Sequence, residues 1–588
     1  MKSNEYSPHH RTLVRFDRHF FTGKDKFTYI GPGSIGGKAH GLARMNGLLG
    51  SSLRDRFTGI STVLPATTVI GTYHFDLFMK QNDLYEIAYS QSRDDIIAHA
   101  FQRASLPVQL VGDLRSLAEQ VHTPLAVRSS SMLEDTLFEP FASVYATKMI
   151  PNNQPDADTR FHKLVEAVKF VYASTFFRDA REYMKATNHS TRDEKMAVII
   201  QEVVGTRFGD RFYPHISGVA RSYNFYPAGH AVPEDGVVDL ALGLGKTIVD
   251  DSTAWTYSPA YPRAAPPYNS IGELLKHSQT KFWAVNMGHA PSYDPVSETE
   301  YLIQNDLGAA EFDGTLRYTA STYVADRGRV VMGTGSPGPR LIDFAPILVG
   351  DKLPLNDLIK LVLETCEDAL GSLVEIEFAV ALDPPGKEPA RFGFLQVRPM
   401  LVSQDKVDLD PRELKGPGVL LSSDRVMGNG VLKDISDVVY TKPGNFDINK
   451  SGAIAAEVET FNSRLLAAGS PYILIGFGRW GTSDPQGGIP VKFGQISGAK
   501  VIVEATLPDL DFSLSQGSHF FHNLTSFRIF YFSIRHSGEY GIDWECLDSQ
   551  PAVGESKFVR HVRFPRPLQV KADGKHSRGF VGHEVNAP

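Results

Sequence analysis

Apolar positions recur at helical spacing from Gly36 to Leu49, where Leu42, Met45, Leu48 and Leu49 follow a pair of glycines. Thr62 to Ile70 and Leu125 to Arg128 read as strands. Phe161 to Thr187 reads as one long amphipathic helix, and Met196 to Val204 as a strand of the fully buried kind. Ser217 to Tyr226 and Gly236 to Leu242 predict further strands. The Pro-, Tyr- and Gly-rich stretch 255–340 predicts an elaborated connection. Leu355 to Leu370 is helical in pattern. Val374 to Leu382 and Arg391 to Val397, joined by the Pro/Gly loop Asp383 to Ala390, predict a hairpin. The charged run Gln404 to Gly418 marks the main boundary. Beyond it, strands at Val438–Tyr440, Tyr472–Ile475 and Lys500–Glu504 predict a separate α/β unit. The chain thus divides into an arm (1–30), a large module (31–403), a linker (404–418), an α/β unit (419–570) and a polar tail (571–588).

Composition narrows the function classes. The chain has 588 residues, too many for one core, with 42% hydrophobic and 22% charged residues. A formal net charge of −7 argues against a nucleic-acid reader, which needs concentrated positive charge against phosphates. The two cysteines, Cys366 and Cys546, form no C-x-x-C pattern. A disulfide framework is therefore not expected, and a reducing cytoplasm is the simplest compartment. Met1 to Lys24 has no apolar stretch of signal-peptide type, and no segment approaches the ~20 apolar residues of a membrane span.

Three segments carry candidate chemistry. Gly36-Gly37-Lys38 leads into a helix, a pattern that lets backbone amides and a lysine approach an anion, though it also suits an ordinary turn. Leu125-Ala126-Val127-Arg128-Ser129-Ser130-Ser131, followed by Glu134-Asp135 and Phe141-Ala142-Ser143, delivers an arginine and hydroxyls from a short strand. A guanidinium fork suits phosphate; the alternative is a surface arginine above a Ser-rich turn. In the predicted hairpin, alternation puts Glu375 and Glu377 on one face of one strand and Gln396 and Arg398 on one face of the other. If the strands pair, a carboxylate, an amide oxygen and a guanidinium converge, which suits magnesium and phosphate. A solvent face with cross-strand pairs is the other reading.

Taken in order, Gly36-Gly37-Lys38, Ala126-Val127-Arg128-Ser129-Ser130 with Glu134-Asp135, and Glu375-Ile376-Glu377 with Leu395-Gln396-Val397-Arg398-Pro399 resemble the PEP/pyruvate-binding, ATP-grasp family found at the front of phosphoenolpyruvate synthase and pyruvate phosphate dikinase. Ser174 to Tyr183, Val198 to Val204, Ser217 to Ala220 and Gly243-Leu244-Gly245 resemble the segments between. The resemblance covers residues 30–402. It implies an α/β (α+β) fold, a two-part ATP-grasp module followed by a smaller α/β domain, with ATP and Mg2+ as cofactors. Lys38 and Arg128 would hold phosphates. Gln201, Glu202 and Val204 would line the adenine pocket. Glu377 and Gln396 would ligate magnesium, and Arg398 would meet the transferred phosphate. Two departures stand out: Ser143 where the family usually has glycine, and Lys246 where an acid usually follows Gly-Leu-Gly.

Family members add a swivelling phosphohistidine domain and a pyruvate-binding barrel. About 185 residues follow the boundary here, too few for both when such a barrel takes ~250. The usual Thr-x-x-Gly-Gly-x-x-Cys-His-Ala motif is absent. The second unit offers a glycine-rich loop, Gly476 to Pro485, with Arg479 and Trp480, which suits an anionic or ring-bearing ligand or a tight turn around a structural tryptophan. It also offers Ser515 to Asn523, where Gly517 precedes His522 by the family's carrier spacing. His522, with His519 behind it, is the candidate phosphoryl carrier, or a core histidine beside Phe520 and Phe521. The leading expectation is an ATP-dependent phosphotransferase whose acceptor, a small molecule or a protein, is unknown. Its alternatives are a non-catalytic ATP sensor and an ATP-grasp ligase forming an acyl phosphate. No nucleic-acid or membrane partner is expected, and a homodimer stays open.

Overall fold

The computed structural model describes residues 13–18, 27–53, 56–134, 144–187, 189–225, 227, 229–250, 253–264, 270–382, 389–400, 407, 409–482, 487–508 and 529–583. Two six-stranded sheets organise the first part of the chain. The first runs in the order Val14–Arg15, Phe27–Ile30, Thr67–Ile70, Met196–Glu202, Leu125–Ser131 and Thr147–Ile150. The second runs Trp255–Tyr257, Val237–Ala241, Ile216–Arg221, Val374–Ala381, Ala390–Pro399 and Ile60–Val63. Phe27–Ile30, assigned to the opening arm, is therefore an inner strand of the first sheet. Its Phe27 and Ile30 are buried.

The expected strand Thr62 to Ile70 is two strands in two different sheets, Ile60–Val63 and Thr67–Ile70. Pro65 lies between them, and a proline has no N–H to give a ladder. The chain uses that break to cross from one sheet to the other. The expected helix Phe161 to Thr187 is also two, Ala157–Ser174 and Arg178–Ala186. No glycine or proline marks the break. Phe176 is instead drawn into an aromatic cluster, its ring centroid 5.8 Å from Phe101 and 6.2 Å from Phe75.

The Leu355–Leu370 helix forms as its periodicity predicts. Leu358, Ile359, Val362, Leu363 and Cys366 are buried, and the helix stops at Gly371 with φ +69°. It shares a hydrophobic core with the Gly36–Ser52 helix and the second sheet. A second core joins the first sheet to Asp94–Arg103, Val108–Gln120 and Ala157–Ser174. The stretch 255–340 is more regular than expected. It contains the Lys281–Asn286/Leu302–Asp306 hairpin and a three-stranded sheet built on Ala320–Val324.

After the charged stretch a nine-stranded mixed sheet begins, with Gly430–Thr441, Tyr472–Phe477, Ala499–Ala505 and Phe530–Ile534 parallel at its centre. The expected polar tail from 571 is corrected. Val559–Asp573 and Arg578–Gly582 pair as a hairpin within this sheet, with Val570, Ala572, Phe580 and Val581 buried. The polar residues around 574–577 are its turn. This unit touches the Arg178–Ala186 helix, where Lys492 Nζ lies 2.7 Å from Asp179 Oδ2 and the Phe493 and Tyr183 rings are 5.4 Å apart.

Candidate functional site

Residues from both six-stranded sheets and from the first turn of the Gly36–Ser52 helix line a cavity of about 390 Å³. That volume lies in the range of small-molecule sites. Lys38, Arg128, Gln201, Glu202, Val204, Glu377, Gln396 and Arg398, all singled out from sequence, line this one space. So does Lys246, and Met149, Leu244, Ile248, Leu302 and Leu395 supply an apolar side.

The first glycine of the pair has a packing role. Gly36 has φ +77°, and a Cβ there would lie 1.7 Å from the Ser130 carbonyl oxygen. The glycine lets the helix start dock against the end of the Leu125–Ser131 strand. Ser130 Oγ then accepts from the Ala39 amide at 3.0 Å and donates to the Ile35 carbonyl at 2.8 Å. This docking delivers Lys38 into the cavity, where its Nζ meets Glu134 Oε1 at 2.7 Å and Ser129 Oγ at 3.2 Å. Glu134 also accepts from the Ser131 amide at 2.8 Å.

The hairpin register matches the alternation argument. Glu375 stands opposite Arg398 and Glu377 opposite Gln396, with an irregularity just after Glu377. Arg128 reaches across from the first sheet. Its Nη2 donates to Glu377 Oε2 at 3.0 Å and Gln396 Oε1 at 2.7 Å, and its Nη1 to the Leu395 carbonyl at 3.2 Å. One nitrogen thus holds both oxygens assigned to magnesium, so the pair converges closely enough for a single cation. Among the described residues no three His, Cys, Asp or Glu side chains are grouped to hold a metal. A divalent ion here would be held by one carboxylate, one amide oxygen and ligand phosphates, which suits magnesium.

Arg398 is buried and bound to Glu375, its Nε 2.6 Å from Glu375 Oε1. Gln201 is buried, with Nε2 3.2 Å from Thr67 Oγ1. Lys246 opens the short helix Lys246–Asp250, with Nζ 5.8 Å from the Trp283 ring centroid.

Sequence reasoning missed a buried acid beside the phosphate-side turn. Glu194 Oε1 accepts from the Met132 and Lys195 amides, each at 3.0 Å, and Oε2 from the Tyr145 hydroxyl at 3.2 Å. Burial pushes its carboxyl up to about 7; the three hydrogen bonds oppose this, and the Glu134 charge adds to it. Burial, with Glu194 and Glu134 nearby, raises the Tyr145 hydroxyl well above the usual range.

Ser143, His519 and His522 lie outside the described residues. Trp480 is not a ligand platform. It is buried, and its indole N–H donates to the Val503 carbonyl at 3.0 Å, so the loop turns around a structural tryptophan. No helix among the described residues is long and apolar enough to cross a membrane.

Comparison with protein families matches residues 33–415 to the pyruvate phosphate dikinase, AMP/ATP-binding domain. Comparison with curated proteins gives no match.

Proposed function

The chain belongs to the pyruvate phosphate dikinase AMP/ATP-binding domain family, and from that membership and the cavity's side chains we propose an ATP-dependent phosphotransferase of kinase or dikinase type. The carrying observation is that Arg128 spans Glu377 and Gln396 inside a cavity that Lys38 and Arg398 also line. Lys38, Arg128 and Arg398 meet the phosphates. The Gln201–Val204 stretch and the apolar side receive the adenine. Glu377 and Gln396 would hold magnesium, which would supply positive charge to offset the phosphates. The protein's contribution is positioning and fixed charge, the usual basis of phosphoryl transfer. The acceptor belongs with the unit beyond the charged linker at 404–418, and His522 is the proposed carrier on its glycine-to-histidine spacing.

A second reading, nucleotide sensing without turnover, is favoured by Lys246, which adds a cation to the cavity wall. Incubation with ATP labelled separately in its β- and γ-phosphates tests both. AMP with labelled phosphate marks dikinase-type chemistry, ADP a kinase or ligase, and intact bound ATP a sensor. No binding at all removes the site.

A further inference from the structure

The cavity face of the second sheet carries a chain of charges that extends past the nucleotide-lining residues. Alternation places Ser217, Val219 and Arg221 on one face of their strand. Register sets Val219 opposite Glu377 and Arg221 opposite Glu375. On the other side, Asp239 stands opposite Val219, and Thr256 opposite Asp239. The side chains connect in the same direction. Arg398 binds Glu375 Oε1. Arg221 Nε donates to Glu375 Oε2 at 2.5 Å, and Arg221 Nη1 to Asp239 Oδ2 at 2.8 Å. Thr256 Oγ1 donates to Asp239 Oδ1 at 2.6 Å. Five residues on five adjacent strands form one line, with Arg398 at the cavity end.

We propose that Arg221 is a positioning residue for phosphate recognition, acting on Arg398 through Glu375; the inference rests on the reading of Arg398 as a phosphate contact. Glu375 is buried and therefore needs a cationic partner. With Arg398 as its sole partner, it would neutralise that guanidinium and turn it from the cavity. Arg221 takes the second carboxylate oxygen, so the acid is shared between two cations. Arg398 is then gripped at its Nε side and keeps charge to offer an incoming phosphate. Asp239, steadied by Thr256, balances Arg221 on the side away from the cavity. The order of charges from the cavity inward is positive, negative, positive, negative. Burial disfavours a charged Arg221, and Glu375 and Asp239 outweigh it, so the guanidinium is held firmly protonated.

The test is calorimetric titration of the full chain with magnesium–ATP and, separately, adenosine. The variants are Arg221→Lys, Arg398→Met, Arg221→Met with Asp239→Asn, and the last two sets combined with Glu375→Gln, since that buried acid would otherwise lose both of its cations. The Arg221→Met/Asp239→Asn pair leaves Glu375 its Arg398 partner and no unpaired buried charge, where Arg221→Met alone would strand Asp239. The expected result is a loss of at least about tenfold in ATP affinity for that pair. Adenosine affinity should stay at the wild-type value, and Arg221→Lys should recover most of the ATP affinity. In the Arg398→Met background the pair should add little, because both act through one guanidinium. Losses that add fully in that background, or that fall equally on adenosine, would overturn the positioning role while leaving the nucleotide site standing. Wild-type ATP affinity in Arg398→Met would remove the phosphate contact itself, and the positioning role with it.

Discussion

Glu194→Gln is the substitution whose sign is least intuitive. It removes a buried charge beside the phosphate-side turn without removing a hydrogen bond. The two backbone amides both go to Oε1, which a glutamine carbonyl keeps, and a glutamine N–H can donate to the Tyr145 oxygen in place of the bond at Oε2. Moving a carboxyl from its ordinary 4.5 to about 7 carries about 3 kcal/mol of protonation-linked stability. The folded pKa is the higher one, so the folded chain keeps its proton while the unfolded chain has already lost it. Stability therefore falls as pH rises from about 4.5 to about 7 and is flat above that window. Glutamine does not titrate. The variant should match wild type at the acid end and exceed it by up to about 3 kcal/mol at pH 8. Hydrogen exchange of the Leu125–Ser131 and Met196–Glu202 amides, compared at equal pH, reads this locally. Exchange governed by module opening should slow about a hundredfold at pH 8 and hardly change at pH 5. A variant-to-wild-type ratio that is constant across that range would refute the raised pKa. A faster-exchanging variant at pH 8 would mean that ionised Glu194 is what the two amides require.

Arg128→Ala should move two affinities in opposite directions: magnesium–ATP binding weakens at least about tenfold, while metal binding without nucleotide tightens because Glu377 and Gln396 lose their resident cation. Glu377→Ala should raise the magnesium concentration needed for tight nucleotide binding, and an unchanged dependence, measured by titration at fixed ATP, removes it as a ligand. Gly36→Ala should destabilise the first module by more than about 2 kcal/mol, since a side chain at that φ is strained and its Cβ overlaps the Ser130 carbonyl; a thermal midpoint unchanged from wild type contradicts the docking. For His522, mass spectrometry under alkaline conditions after incubation with ATP should find phosphohistidine, and label on neither His522 nor His519, with full activity in His522→Ala, excludes the carrier role.

The parts of the site that could be read from sequence are those set by local rules. Glu375, Glu377, Gln396 and Arg398 follow from strand alternation plus one hairpin, and their register needs no more than that. Lys38 and Arg128 are marked by the elements that deliver them. Arg221, Asp239 and Glu194 carry no such mark. Arg221 and Asp239 acquire meaning from neighbours on adjacent strands, and Glu194 from a turn 62 residues earlier in the chain. The same distinction governs the fold. Pro65 shows that a ladder stops, but not that the next strand joins another sheet. The helix break after Ser174 is made by the tertiary pull on Phe176, against a local pattern that favours continuing. The polar run near the C-terminal end conceals a hairpin because its turn residues are counted with its strands. Trp480 in a glycine-rich loop fits a ligand platform equally well until burial decides it.

The pairing in the cavity bears on what a divalent ion would add there. Lys38 is matched by Glu134, Arg128 by Glu377 and Arg398 by Glu375. Arg221 shares Glu375, so Arg398 keeps part of its charge, but Lys38 and Arg128 are each matched by a carboxylate of their own before a triphosphate arrives. A nucleotide without metal would bring its negative charge close to carboxylates already present, in a space where water screens poorly. A divalent ion would change this in two ways. It would add positive charge of its own, and Glu377 and Gln396, if they held it, would no longer hold the Arg128 guanidinium. That guanidinium comes from the Leu125–Ser131 strand and lines the cavity with Lys38, so once released it would be available to a phosphate. Metal would compete for the oxygens that Arg128 holds and phosphate for Arg128 itself, so each would make the other's site available. On the proposed reading, coupling between magnesium and nucleotide would arise because Arg128 is already paired with Glu377 and Gln396 before the ligand arrives.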